Sequence, residues 1–316
     1  MVSIYIALYL FLAGAGGGSF LLGSVVDLVL RFRPQAARGW FARVSPVTDA
    51  GLVLGPVLVV ASAIFLVLDL GVPEKAFYLF LVSSQSLLSL GAWAILLFAV
   101  AAFGALVLGF VAGDSGDEGE VDPSARRVIL RVAELGCSLM ATGLALFVVV
   151  YSGVFLALYP SLPLLHTPWV PVLFVASALA TGLASLMVVA FFRQPVPGMV
   201  EGARALLGLD AVLVALEAVA LTVFLVVSLV SGFPAREGAL LLLAGTLAPA
   251  FWGGVVVLGL VAPFSVDVVC RALPSFSAVA LGAAGTLLGG LFLRVVLLMA
   301  TQRFNLAFMS VLPFWT

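Results

Sequence analysis

The sequence predicts an all-α integral membrane protein with eight transmembrane helices. Of its 316 residues, 64% are hydrophobic and only 9% are charged, whereas soluble domains are about a quarter charged. The apolar residues form eight long stretches, and about 20 apolar residues are enough to cross a bilayer as a helix. The balance of 14 basic and 15 acidic residues gives no signal for nucleic-acid binding.

The spans follow from hydrophobicity and from the polar, glycine- or proline-containing breaks between them. The first stretch has no basic segment before it and is too long for the apolar region of a cleavable signal peptide. We therefore expect it to remain as the first helix. The eight predicted spans are 4–30, 48–69, 86–111, 129–157, 170–192, 206–231, 239–263 and 276–300.

Basic residues predict the orientation, because Lys and Arg accumulate on the cytoplasmic side of membrane proteins. The loops after spans 1, 3, 5 and 7 carry ten arginines, and the opposite side carries three basic residues. Both termini are therefore predicted on the non-cytoplasmic side. The ten are Arg31, Arg33, Arg38, Arg43, Arg126, Arg127, Arg131, Arg193, Arg204 and Arg271, and the three are Lys75, Arg236 and Arg303.

The content of histidine and cysteine limits which cofactors this chain can hold. A membrane cytochrome holds haem between paired imidazoles, but His166 is the single histidine of the sequence. Cys137 and Cys270 are far apart and belong to no cluster of metal ligands. We expect no haem, no iron–sulfur cluster and no metal site in this chain.

Polar side chains from the first four spans are predicted to meet in one layer near the outer face. A tyrosine there can donate a hydrogen bond to a quinone carbonyl, although tyrosines are also common as interfacial anchors. The start of span 3 is rich in serine, whose hydroxyl can bind a helix end or a polar ligand. The candidate quinone ligands are Tyr9, Asp69, Gln85, Ser89, Trp93 and Tyr151.

Charged residues inside the predicted spans form a second set of candidates, because intramembrane charges are costly and often functional. Glu217 lies near the middle of span 6, and Asp210 lies on the same helix face. Glu134, Asp27 and Arg294 lie in spans 4, 1 and 8. These residues are predicted to form either a proton path or structural ion pairs, and the sequence favours neither.

Runs of small residues are expected to serve helix packing. The segment Gly14-Ala-Gly-Gly-Gly-Ser19 has neither the preceding strand nor the following lysine of a nucleotide-binding loop. In a membrane helix, small residues allow two backbones to approach closely. Gly282, Gly285 and Gly289 predict a similar small face on span 8.

Taken together, the motifs resemble the NrfD family, the membrane subunits of polysulfide-reductase-type molybdoenzyme complexes. Each motif is weak alone, but their order and spacing extend over nearly the whole chain. They are Tyr9-Leu-Phe-Leu-Ala-Gly14, Asp69-Leu-Gly-Val-Pro-Glu74, Ser89-x-Gly-x-Trp93, Tyr151-Ser-Gly153, the Glu217 helix, Phe251-Trp-Gly-Gly254 and Gly289-Gly-Leu-Phe-Leu-Arg294.

The resemblance implies two four-helix bundles, 1–157 and 158–316, in a bacterial or archaeal cytoplasmic membrane. It implies that menaquinone or ubiquinone reacts in the first bundle, where Tyr151 matches the family's quinone-contacting tyrosine. The implied partners are a ferredoxin-like iron–sulfur subunit and, through it, a molybdopterin catalytic subunit. The residues expected to dock the partner are Gly71, Pro73, Glu74 and His166.

Two other functions remain compatible with the sequence. A secondary transporter often has a broken helix and a carboxylate at mid-membrane, which the glycine run and Glu217 fit loosely. The sequence has no evident inverted repeat, which argues against a transporter. A passive anchor without a quinone site is the other alternative.

Overall fold

The computed structural model describes residues 4–33, 39–69, 87–114, 125–159, 162–193, 197–273 and 275–311. Within these ranges the chain is helical and contains no strand. We number the α-helices α1 to α10 in chain order, and a π-helical segment, Ala250–Val261, runs directly into α9. The helices are α1 Ile4–Phe32, α2 Gly39–Thr48, α3 Ala50–Asp69, α4 Leu87–Asp114, α5 Ala125–Ala157, α6 Trp169–Phe192, α7 Met199–Val230, α8 Phe233–Leu243, α9 Ala262–Ala272 and α10 Phe276–Val311.

Eight helical segments in the described ranges are long and apolar enough to cross a membrane. The protein is therefore a multi-pass membrane protein, as the sequence predicts. The spans are formed by α1, α3, α4, α5, α6, α7, the π-helical segment with α9, and α10. The short helices α2 and α8 lie between spans.

The seventh span differs from the prediction of 239–263. Helix α8 ends at Leu243, and the spanning helix begins only at Ala250. Gly245 donates its backbone N–H to the Leu240 carbonyl at 3.0 Å, which closes the end of α8. Pro249 lacks an N–H and so favours the start of a new helix there. The end of the predicted span at residue 263 was also wrong, because the helix continues through Asp267 to Ala272.

Helices α1 and α6 lie at the centre of the protein. Helix α1 packs against α3, α5 and α6, and α6 packs against α5, α7 and α10 as well. Their most apolar windows are 67% and 72% buried, whereas that of α4 is 28% buried. Helix α4 therefore presents much of its surface to lipid, and α1 and α6 connect the two halves of the chain.

The glycine run of α1 packs against several helices at once, as predicted. A Cβ on Gly16 would lie 2.8 Å from the Gly55 carbonyl oxygen of α3, and one on Gly17 would lie 2.7 Å from Val149 of α5. A Cβ on Gly18 would overlap with the Ala178 carbonyl of α6. Three consecutive glycines therefore allow contact with three different helices.

The predicted small face of α10 packs against the π-helical segment and its continuation. The backbones of Gly259 and Gly289 meet so closely that a Cβ on either would overlap with the other. A Cβ on Gly285 would lie 2.8 Å from the Leu258 carbonyl oxygen. π-Helical turns often mark functional positions, and here the turns coincide with the closest contact to α10.

Candidate functional site

Tyr151 connects α5 to the start of α4, at the face that the basic residues predict to be the outer one. Its hydroxyl donates a hydrogen bond to the Leu87 carbonyl, in the first turn of α4. Its ring lies against Gly91, where a Cβ would be 2.6 Å from ring atom Cε1. The rings of Phe147 and Phe155 lie on either side, each with its centroid 5.7 Å from that of Tyr151. The tyrosine therefore has a fixed position and a fixed orientation.

Tyr9 and Ser89 are also buried at this end of the protein. Tyr9, on α1, lies close enough to Tyr151 for the two side chains to interact electrostatically. Ser89 lies two residues after Leu87, whose carbonyl accepts the Tyr151 hydrogen bond. The structure thus brings Tyr9 and Tyr151 together and places Ser89 in the neighbouring turn of α4.

Two of the other predicted quinone ligands, Trp93 and Asp69, are partly exposed. Trp93 is 43% exposed on α4, so part of its ring faces away from the helix contacts. Asp69 is partly exposed at the last residue of α3. Gln85 lies outside the described residues.

The predicted docking residues Gly71, Pro73 and Glu74 also lie outside the described residues. His166 is exposed, and its ring Nδ1 lies 2.7 Å from the Ala157 carbonyl oxygen. A hydrogen bond at this position satisfies the last carbonyl group of α5. The imidazole therefore holds the loop between α5 and α6 against the end of α5.

At the opposite end of the first four spans, Asp27, Arg31 and Glu134 form a charged cluster. Arg31 Nε donates to Asp27 Oδ2 at 2.8 Å, and Arg31 Nη2 donates to Glu134 Oε1 at 2.7 Å. The cluster connects the last turns of α1 to the first part of α5. Two predicted proton-path residues, Asp27 and Glu134, are therefore joined to each other by an arginine.

Arg294, on α10, is the largest fully buried side chain of the described residues and is only 1% exposed. Its Nη1 donates to the Ser177 hydroxyl at 3.1 Å and to the Gly290 carbonyl at 2.8 Å. Among the described residues, its Nε and Nη2 have no hydrogen-bond partner. A buried guanidinium with unused donors is costly, so the surrounding residues must offset that cost.

Aromatic rings and a glycine complete the environment of Arg294. The guanidinium carbon lies 5.7 Å from the Phe11 ring centroid and 5.4 Å from that of Phe174, within cation–π range. A Cβ on Gly14 would lie 2.7 Å from Arg294 Nη2. The side chain therefore connects α10 to α1 and α6, between the two halves of the chain.

Glu217, on α7, is buried near Arg294. The Ser177 hydroxyl, which accepts a hydrogen bond from Arg294, also interacts with the Glu217 carboxyl group. Glu217 and Arg294 attract each other electrostatically, but the direct ion pairs of the described residues are those of Arg31. Ser177 is therefore bonded to Arg294 and lies close to Glu217.

Asp210 lies on α7, seven residues before Glu217, and faces Asp267 of α9. Both aspartates are 2% exposed, and their carboxyl groups are within hydrogen-bonding range of each other. Two carboxyl groups can form such a bond only if one of them carries a proton. Within the described ranges, Asp210 Oδ1 and Asp267 Oδ2 have no partner, and Arg271 interacts with Asp267 electrostatically.

Sequence analysis missed Ser177 and Asp267. Ser177 is one of many small residues in an apolar helix, and only the three-dimensional contact with Arg294 distinguishes it. Asp267 was placed in a predicted loop. Its position four residues before Arg271, on one helix face, is a signal that could have extended the helix through it.

The intramembrane charges form two separate groups. Asp27 and Glu134 interact through Arg31, between α1 and α5. Asp210 and Glu217 lie on α7, where their interactions are with Asp267, Ser177 and Arg294. Within the part of the chain that the structure describes, these interactions have no residue in common, and the five predicted residues fall into two groups.

Two sequence comparisons relate this chain to known proteins. A family model described as "Polysulphide reductase, NrfD" matches residues 2–307. This protein is also 30% identical, over 317 aligned positions, to one of the subunits of the polysulfide reductase of Wolinella succinogenes. The alignment covers 95% of this chain and 93% of the relative.

Proposed function

Because the chain belongs to the NrfD family of polysulphide reductase proteins, we propose that it is the quinone-reactive membrane anchor of a respiratory oxidoreductase. In this proposal it exchanges two electrons and two protons with menaquinone or ubiquinone. The electrons pass to or from an extrinsic, ferredoxin-like iron–sulfur subunit and a molybdopterin catalytic subunit. The relative's name describes one component of a reductase, which supports a multi-subunit assembly.

The observation that carries the proposal is the position of Tyr151 and Tyr9. Two buried phenol groups from different helices lie within electrostatic range of each other at one end of the first four spans. Phenolic hydroxyl groups can donate hydrogen bonds to the carbonyl oxygens of a quinone ring. Aromatic side chains on either side of Tyr151 provide flat apolar surfaces that suit a quinone ring.

The Tyr151 hydroxyl has a defined role in this proposal. Its hydrogen bond to the Leu87 carbonyl fixes the phenol oxygen at the start of α4. A rotation of the O–H bond would redirect the proton from Leu87 to a quinone carbonyl without moving the ring. The phenol ring fits against α4 because residue 91 is a glycine and has no Cβ. Tyr151 would therefore orient the quinone and stabilise negative charge on its oxygen during reduction.

The finer architecture is part of the same proposal. We infer that residues 1–157 and 158–316 form two four-helix bundles with both termini on the non-cytoplasmic side. The contacts of α1 with α3 and α5, and of α4 with α3 and α5, support the first bundle. The orientation rests on the distribution of Lys and Arg. The partner would then dock at the outer face, near the Tyr151 end.

Protons for the quinone require a route, and two groups of charges are available for it. The group around Glu217 lies in the second half of the chain, with Asp210, Asp267 and Arg294 along it. The charged cluster of Asp27, Arg31 and Glu134 lies in the first half. Asp27 and Glu134 are both hydrogen-bonded to Arg31, which favours a structural role for them. The oxygens of Asp210 and Asp267 that lack a partner among the described residues favour proton exchange.

Purification of the chain from its native membrane, without added partners, tests the proposal. We expect an iron–sulfur subunit and a molybdenum-containing subunit to copurify. A water-soluble quinol analogue should then reduce the iron–sulfur clusters. Electron paramagnetic resonance of the clusters measures this reduction. Absence of both subunits would favour a transporter, and copurification without quinol-dependent reduction would leave a passive anchor.

A further inference from the structure

A cavity of about 310 Å³ opens between α1, α3, α4 and α5, at the end of these helices opposite Tyr151. We call it the inner cavity. Its volume is at the lower limit for pockets that bind small molecules. Its lining residues are Phe20, Asp27, Arg31, Leu52, Ala102, Ala105, Leu106, Gly109, Phe110, Glu134 and Ser138.

The inner cavity is polar at one end and apolar along the rest of its wall. The polar end contains the charged cluster of Asp27, Arg31 and Glu134, and the wall contains phenylalanine, leucine and alanine side chains. This division matches an amphiphile, which has a polar head and an apolar chain. The cavity lies within spans that face lipid, because α4 exposes much of its surface.

The net charge at the polar end is negative. Asp27 and Glu134 carry two negative charges, and Arg31 carries one positive charge. The field extends beyond the cluster: partial burial raises the pKa of Asp49, and the nearby Asp27 raises it further. A positively charged head group is therefore favoured over a negative one.

Unused hydrogen-bonding groups are available at the same end. Arg31 occupies Oδ2 of Asp27 and Oε1 of Glu134, which leaves the second oxygen of each carboxylate for another donor. Ser138 is buried and adds a hydroxyl group to the cavity wall. Gly109 preserves the space, since a Cβ there would lie 3.3 Å from Glu134 Oε1.

We propose that the inner cavity binds a membrane lipid whose head group carries a protonated primary amine, with an acyl chain along the apolar wall. A primary ammonium has three N–H donors, which suit the oxygens of Asp27, Glu134 and Ser138. A trimethylammonium head has no N–H donor, and a neutral glycerol head leaves the negative charge of the phosphate unbalanced. Phosphatidylethanolamine has the required chemistry, and its phosphate group can approach Arg31.

This lipid site is distinct from the proposed quinone site. Glu134 precedes Tyr151 by four to five helical turns on α5, which is about 25 Å at 1.5 Å per residue. The inference goes beyond the proposed function and does not depend on it. Loss of the lipid preference through a narrower apolar wall would leave quinol reactivity untouched, and loss of quinol reactivity at Tyr151 would leave the lipid preference untouched.

Native mass spectrometry of the full-length chain tests the proposal. The purified chain is titrated with dioleoyl forms of phosphatidylethanolamine, phosphatidylcholine and phosphatidylglycerol, and bound lipid is counted. We expect one ethanolamine lipid to bind more tightly than the other two. Glu134→Gln should weaken that binding roughly tenfold, as expected for loss of a charge-assisted hydrogen bond.

Three further variants keep the test decisive if Glu134→Gln folds poorly. Ala105→Leu narrows the cavity wall without changing a charge, and it should also reduce ethanolamine-lipid binding. Glu201→Gln removes an exposed carboxylate from α7, outside the cavity, and should leave lipid binding unchanged. Ala61→Leu on α3, also outside the cavity, serves as the control for added volume.

Several results would overturn the proposal. Equal binding of the three lipids, or a preference for phosphatidylglycerol, would contradict the charge argument. An ethanolamine preference that survives both Glu134→Gln and Ala105→Leu would place the lipid elsewhere. Competitive displacement of the lipid by a quinone analogue would identify the inner cavity as a quinone site instead.

Discussion

Buried polar residues in this protein are held by contacts between helices as well as within them. Tyr151 of α5 bonds to the Leu87 carbonyl of α4, and Arg294 of α10 bonds to Ser177 of α6. A buried donor without a partner costs about 1–3 kcal/mol, so each of these contacts fixes the relative position of two helices. Single substitutions at these positions therefore test both structure and function.

Tyr151→Phe should lower quinol turnover in the assembled complex roughly tenfold, because it removes one hydrogen-bond donor and keeps the ring. Assembly should be unaffected, since the ring contacts with Phe147, Phe155 and Gly91 persist. The measurement is the steady-state rate with a quinol analogue. Tyr159→Phe, at a partly exposed tyrosine on the same chain segment, is the matched control. Unchanged turnover in Tyr151→Phe would place the quinone elsewhere.

Glu217→Gln tests whether the buried carboxyl group transfers protons. The amide keeps the shape and can still bond to Ser177, but it cannot ionise. If Glu217 transfers protons, turnover or coupled proton movement should fall while partner binding remains normal. Proteoliposomes containing a pH-sensitive dye measure this, with Glu201→Gln as the control for an exposed carboxylate. Poor folding would indicate a structural pair with Arg294, and wholly normal behaviour would reject both roles.

At the scale of helices, close backbone contacts add to the packing of buried apolar side chains. The glycine run of α1 faces α3, α5 and α6, and the glycines of α10 face the π-helical segment. Lipid solvates apolar side chains about as well as other side chains do, so packing of small residues is a principal source of helix association in membranes.

Gly18→Ala tests this contact. Its Cβ would overlap with the Ala178 carbonyl of α6, so α1 and α6 must separate. We expect a lower melting temperature and a loss of about 1–3 kcal/mol, the usual cost of overpacking. Gly143→Ala on α5 is the control, because none of the described residues lies within 4 Å of its added methyl group. Equal stability of the two variants would contradict the proposed packing.

Sequence alone predicted the helices better than it predicted their contacts. Hydrophobicity located the eight spans because the length of a membrane helix is set by the bilayer. It failed at residues 239–263, where an apolar composition continues through a break that depends on Gly245 and Pro249. It also could not show that Asp27 and Glu134 are joined by Arg31, because spacing along one chain does not reveal which helices are neighbours.

At the scale of the whole molecule, the buried apolar side chains of the described residues form two clusters. One contains Tyr9, Phe98 and Phe251, from three parts of the chain, and the other contains Val44, Leu186 and Met199. Both clusters include residues of α6. The central position of α1 and α6 therefore provides a physical connection between the Tyr151 region and the Glu217 region.

Photoaffinity labelling with an azido-quinone most directly tests the central claim, that a quinone reacts beside Tyr151. Labelled peptides from the assembled complex are identified by mass spectrometry, with and without an excess of unlabelled quinone. We predict competed labelling of α1, α4 or α5 within about two turns of Tyr9, Ser89 or Tyr151. Labelling confined to the inner cavity or to residues 158–316, or no competed labelling at all, would contradict the claim.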